Sequence, residues 1–217
     1  MQAGLARCYQ CDVAAGQFGD LLADVVVPVG YAVKGGQLAG DLWRYKSGQR
    51  DAAAAAARLR SLLSGFLRDH AALVWRDAGM ADGPALAAVV PSGQGRPGAH
   101  PLLGIVASCT GLPMIELSVR PEGAVHGRSV STGWLRVGGA VAGADVLLVD
   151  DTWVSGGSAQ SAATALKLAG ARRVAIIVLG RHVDPADPRS ATLLGAINSG
   201  SGGTAVDQPD GCGDEQR

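Results

Sequence analysis

Val146–Ser161 reads VLLVDDTWVSGGSAQS. Its first four residues form an apolar run of the length and type expected of a strand buried on both faces. Two acids, Asp150 and Asp151, stand where that run ends. Thr152-Trp153-Val154 follows, then Ser155-Gly156-Gly157-Ser158. A helix is predicted over Gly157–Ala169, closed by Gly170. Arg173–Leu179 predicts the next strand. Strand, loop, helix and strand in this order specify a parallel βαβ unit. Open α/β sheets bind ligands outside the carboxyl ends of their strands, where the acids and glycines fall.

The residue types define a chemistry. Small residues let the backbone wrap closely around an anion. Their N–H groups, and the positive end of the following helix, favour a phosphate. Ser155 and Ser158 add hydroxyl donors. Asp150 and Asp151 repel phosphate, so they suit sugar hydroxyls or a Mg²⁺ ion beside them. A phosphate cradle thus adjoins a clamp for a sugar diol. A capped turn with two solvated acids explains the residues less fully. A phosphate-loop NTPase requires Lys after the second Gly of GxxxxGK[ST], and none is present. A phosphate-accepting receiver domain explains the paired acids but not Ser155–Ser158.

Outward from this loop the chain alternates strands and helices. Asp24–Val33 predicts a strand and Gln37–Lys46 a short helix. Leu59, Leu62, Leu63, Phe66 and Leu67 recur at helical spacing, predicting a helix from Asp51 to about Arg76, with a break near Gly65. Leu86–Val90 predicts a buried strand, followed by a Gly/Pro-rich loop from Pro91 to Gly98. His100–Ser108 predicts a helix; Met114–Val119 and Trp134–Val137 predict strands. Pro121–Thr132 lacks a period and reads as a mobile loop. No internal repeat is present.

The 217 residues suit one domain with peripheral additions, and 47% hydrophobic content is enough for a sizeable core. Lys plus Arg equals Asp plus Glu at 19 each, so overall charge suggests neither nucleic acid nor membrane as partner. No run of roughly 18 apolar residues predicts a membrane span, and no signal peptide is visible. The cytoplasm is the expected location, and four scattered cysteines suit a reducing compartment. The expected organisation is a Cys-containing arm over 1–22, a domain over 23–197 and a disordered tail over 198–217, rich in Gly, Ser, Asp and Gln.

Val146–Ser158, with its apolar run, two acids and Ser-Gly-Gly-Ser turn, resembles the 5-phosphoribosyl 1-pyrophosphate (PRPP) signature of type I phosphoribosyltransferases. The resemblance implies an α/β fold: a central, mainly parallel sheet flanked by helices, with a flexible hood. It implies that Asp150 and Asp151 hold the ribose 2- and 3-hydroxyls, and that Val154, Ser155, Gly156, Gly157 and Ser158 wrap the 5-phosphate. Purine-salvage members often have an acid at the position of Val154, so valine argues against a 6-oxopurine acceptor.

The flanks resemble the competence protein F-like (ComF-like) branch more closely. The carriers are Val27-Pro28-Val29, Tyr31, Arg44-Tyr45-Lys46 and the N-terminal Cys pair. On this resemblance, Ser92 and Arg96 belong to a pyrophosphate loop in which Gly93 and Gly95 permit a strained peptide. Arg120 to Arg136, including His126 and Arg128, forms the hood, and Arg128 closes over PRPP. Arg96, Arg120, Arg128 and Arg136 against Glu116 and Glu122 make this stretch basic although the chain is neutral. Lys46, ending a helix, is also explained by the helix dipole alone.

The implied activity is Mg²⁺-dependent transfer of phosphoribose from PRPP to an unidentified small-molecule acceptor. Mg²⁺ would be held mainly by substrate, beside Asp150 and Asp151. A homodimer is compatible with the resemblance. Two other functions fit: a non-catalytic sensor of PRPP or nucleotide, and an accessory protein of DNA uptake. Cys8-x-x-Cys11 is half of a Zn²⁺ site, but tetrahedral zinc needs four ligands. Cys109 and Cys212 do not form a second pair, so two free thiols compete with zinc as the reading.

Overall fold

Val146, Leu147, Leu148 and Val149 are all 0% exposed. A strand apolar on both sides needs cover on both, and this sets the layering. In the computed structural model, which describes residues 9–48, 50–92, 100–120, 129–190 and 193–195, they lie in β6 (Asp145–Trp153). Helix α5 (Gly157–Leu168) carries the chain back to β7 (Arg173–Val183), which pairs parallel with β6. The predicted βαβ unit is therefore present.

Seven strands form one sheet among the described residues. Its order is β1-β7-β6-β3-β4-β5, with β2 also on β7. The remaining strands are β1 (Val25–Pro28), β2 (Tyr31–Val33), β3 (Leu86–Val89), β4 (Met114–Val119) and β5 (Leu135–Gly138). Every pairing is parallel except β4 with β5. The helices are α1 (Tyr9–Phe18), α2 (Gln37–Arg44), α3 (Ala52–Asp77) and α4 (Leu102–Thr110), with α5 already placed. This is the expected α/β class: a mainly parallel sheet flanked by helices. No described helix is long and apolar enough to cross a membrane.

Alternation along the strands divides the core. Leu147, Val149, Ala175 and Ile177 pack with Leu42 of α2, Leu59 and Leu63 of α3, and Val106 of α4. Val146, Leu148, Val174 and Ile176 pack with Ala162, Ala163 and Leu166 of α5. Alanines on α5 bring it close to the sheet. α4 connects β3 to β4 on one face, and α5 connects β6 to β7 on the other. The neighbouring strands β3 and β6 thus send the chain apart in opposite directions. Such a switch point leaves a crevice at their carboxyl ends.

Several predicted boundaries shift. The strand expected over Asp24–Val33 is divided into β1 and β2, although both keep one register on β7, from Val25↔Ala175 to Tyr31↔Arg181. Pro28, lacking an N–H, is accommodated because this is an edge. α3 runs unbroken through Gly65, because Leu59, Leu63 and Phe66 anchor it on both sides of that residue. β6 and β7 both extend beyond their predicted ends. The tail from 198 and the loop residues 121–128 lie outside the described residues.

The amino ends of the strands are tied by ion pairs. Asp24 accepts from Lys167 at 2.7 Å, from Arg173 at 2.8 Å and from the Val174 N–H at 2.7 Å. Burial alone would raise its pKa; these three donors more than offset that and hold it below the ordinary value. Arg172 donates to the buried Asp145. α2 is fixed to α3 by Arg58, which donates two hydrogen bonds to the buried Asp41 at 2.6 and 2.8 Å.

Candidate functional site

Asp150 and Asp151 do not follow the strand; they belong to it. Asp150 lies opposite Val178, Thr152 opposite Gly180 and Trp153 opposite Arg181. This corrects the expected end at Val149. Thr152 and Trp153 favour extended backbone, and the long β7 supplies their partners. The acids are thereby held by a hydrogen-bonded ladder rather than by a loose turn.

The turn at Val154–Gly156 then leads into α5. Gly156 has φ +78° and ψ −3°, the left-handed conformation glycine adopts without strain. A Cβ there would also lie 2.1 Å from the Trp153 ring, so the indole closes over the turn. The N–H groups of Gly157 and Ser158 open the first turn of α5, where no intrahelical acceptor exists. Val154 is 60% exposed.

Asp151 is 6% exposed, and three groups meet at its Oδ2. The Tyr45 hydroxyl donates to it at 2.5 Å, Lys46 Nζ forms an ion pair with it, and His100 Nε2 lies 3.8 Å away. The Leu102 N–H donates to His100 Nδ1 at 3.2 Å, which places the neutral ring's proton on Nε2, facing Asp151. Asp150 differs: its Oδ1 accepts the Asp151 N–H at 2.8 Å. Burial and the neighbouring Asp151 charge push its pKa up to about 7, only partly opposed by that N–H and by Lys46. Two adjacent acids therefore occupy different environments.

These groups line a cleft of about 700 Å³ at the switch point. Pro91 and Ser92, just after β3, form one wall, and Ser158 of α5 another. Trp43, 64% exposed, lies at the outer part with His182. Ser155 and Gly156 front an adjoining pocket of about 640 Å³ with Trp153 and Arg181. The predicted loop thus presents its two serines to two neighbouring cavities.

The structure brings Asp150, Asp151, Ser92 and Ser158 together. Gly156 and Gly157 form the turn between the cavities, and Val154 faces solvent. Arg96, His126 and Arg128 lie outside the described residues. Arg120 donates to the Leu135 carbonyl at 3.1 Å, and Arg136 lies on the edge strand β5; neither lines the cleft. Tyr45 and His100 were not legible as site residues. Tyr45 is separated from Asp151 by 106 positions, and no local period marks that contact.

Among the described residues no group of three His, Cys, Asp or Glu could hold an ion. Two strand-end acids suit a Mg²⁺ that takes most of its oxygens from a phosphate ligand, not a protein cage. Cys8, Cys212 and the Cys11 side chain lie outside the described residues. Cys109 of α4 packs on α3, with Sγ 3.2 Å from Ser64 Oγ.

No protein-family model matches the chain, and no curated protein matches it. Solved structures do. The chain is similar to a purine phosphoribosyltransferase from Pyrococcus horikoshii Ot3 at 16% identity, over 60% of this chain and 88% of that one, with TM-score 0.36. Adenine phosphoribosyltransferase from Leishmania tarentolae matches at 14% identity, over 63% and 73%, with TM-score 0.39. Orotate phosphoribosyltransferase from Mycobacterium tuberculosis H37Rv matches at 22%, over 64% and 67%, with TM-score 0.34.

Proposed function

We propose that this chain binds PRPP in the cleft at the β3–β6 switch point and transfers its phosphoribosyl group to a small nitrogen acceptor. The observation that carries this reading is one continuous segment. Two strand-anchored acids run directly into a left-handed glycine turn and a helix N-terminus, inside the crevice where an open α/β sheet binds ligands. Asp150 and Asp151 hold the ribose hydroxyls. A carboxyl that retains its proton towards neutrality beside one flanked by Lys46 supplies both a donor and an acceptor for a diol. N–H groups from Ser155 to Ser158 receive the 5-phosphate, and Ser92 meets the pyrophosphate.

In the reaction, the bond from ribose C1 to pyrophosphate breaks with the electron pair leaving on pyrophosphate. The acceptor nitrogen bonds to C1 and then gives up its proton to water. The chain contributes by fixing the sugar so that attack is in line, and by donors aimed at the departing anion. Mg²⁺, carried mainly on the ligand's own oxygens, would supply further charge neutralisation there. Tyr45-Lys46 and the β1–β2 segment support the finer ComF-like assignment within this reading.

Val154 favours a second reading. Its exposed side chain offers no proton acceptor beside the turn, which suits a sensor that binds PRPP without turnover. Pyrophosphate release from PRPP, measured with a panel of heteroaromatic bases and amines, separates the two. Acceptor-dependent release supports transfer; binding without release from any acceptor supports the sensor.

A further inference from the structure

We infer that Lys46 is the fixed cation for the anionic group at ribose C1, and that Tyr45 serves it indirectly by positioning Asp151. This rests on the PRPP reading above. Lys46 is the one Lys or Arg among the described residues that lines the cleft. The same cleft holds Asp150 and Asp151, so among the described residues an incoming polyanion meets two acids and one Lys or Arg charge. Charge-assisted contacts are the strong ones in such a site. Lys46 therefore offers an incoming anion a charged contact held in place by its ion pair with Asp151.

The two faces of the sheet determine which anion it serves. Lys46 follows α2 and His100 precedes α4, and both helices pack on the α3 side of the sheet. The glycine turn opens α5, which packs on the opposite side. A ribose held by the acids at the end of β6 therefore spans from one face to the other. Its 5-phosphate meets the α5 turn, and its C1 substituent meets Lys46, His100 and Ser92. The Lys46–Asp151 ion pair keeps the ammonium at the junction between sugar and leaving group.

Tyr45 acts differently. It is buried, and its hydroxyl donates to the oxygen that Lys46 also contacts. Removing that hydroxyl disturbs the carboxylate that grips the sugar, whatever the sugar carries at C1. The two neighbours thus predict different ligand dependence.

Calorimetry tests this with PRPP, ribose 5-phosphate and inorganic pyrophosphate, each with Mg²⁺, on the full chain. In Lys46→Met, affinity for PRPP and for pyrophosphate is expected to fall about 10- to 100-fold, the range of one lost charged hydrogen bond. Ribose 5-phosphate should change less than about 3-fold, and Lys46→Arg should recover most of the loss. Tyr45→Phe should weaken ribose 5-phosphate and PRPP by similar factors. If Lys46→Met unfolds, Lys46→Gln gives the same comparison. Equal weakening of PRPP and ribose 5-phosphate by the lysine variant, or no weakening of PRPP, overturns the inference but not the PRPP reading. If wild type binds neither sugar phosphate, the reading and the inference fall together.

Discussion

Asp150 and Asp151 are chemically identical neighbours made unequal by their surroundings. Asp151 receives Tyr45 and Lys46, whereas Asp150, half-buried and desolvated beside Asp151's charge, stays protonated to about 7. The sign of its effect on stability follows. A folded pKa above the ordinary carboxyl value means that the folded chain binds more protons between about pH 4 and 7, so Asp150's contribution becomes less favourable as pH rises through that window. Above about pH 7 the penalty is complete; below about pH 4 both states are protonated and it vanishes. At about 1.4 kcal/mol per pKa unit, its size is a few kcal/mol. Asp150→Asn is therefore expected to stabilise the chain at pH 8 and to be nearly neutral at pH 4, by denaturant unfolding at both. Equal effects at both would remove burial as the cause. Both acids were legible as a pair in the sequence. Their inequality was not, because the groups that create it arrive from α2 and the start of α4.

At the scale of elements, α2 positions Tyr45 and Lys46, and its seat on β7 depends on one glycine. A Cβ on Gly180 would lie 2.4 Å from Leu42 Cδ1 and 3.0 Å from Ala32 Cβ. Gly180→Ala is expected to destabilise the chain by about 1–3 kcal/mol through overpacking, and to weaken PRPP binding by lifting α2 from Asp151. Thermal unfolding and calorimetry check the two effects. Unchanged PRPP affinity in a folded Gly180→Ala chain would mean that α2 does not set the site. The helices and strands themselves were largely legible, since each carries its own period. The end of β6 was not. Asp150 and Asp151 read as a break in hydrophobicity, but β7 extends alongside them and continues the ladder.

For the whole molecule, the decisive fact is where the chain reverses. β3 and β6 are neighbours in space but 60 positions apart in sequence, from Leu86 opposite Val146 to Val89 opposite Val149, and beyond them Val90–Ser92 and Asp150–Thr152 line one rim with Ser158. Only the assembled sheet joins the two loops into one cleft. The glycine turn and its acids were legible in the sequence because they are contiguous; the cleft was not, because its walls also come from the ends of α2 and β3 and the start of α4. The basic stretch Arg96–Arg136 suggested arginines around the ligand; Arg120 and Arg136 do not line the cleft, Arg96 and Arg128 lie outside the described residues, and Lys46 stands beside the acids. The central claim is that this cleft binds PRPP through the strand-end acids. Titration of the full chain with PRPP and Mg²⁺ tests it most directly, with Asp150→Asn/Asp151→Asn alongside. Saturable binding by wild type, reduced at least about 10-fold in the double variant, is the predicted result; no binding by a folded wild type, or equal binding by both proteins, would contradict it.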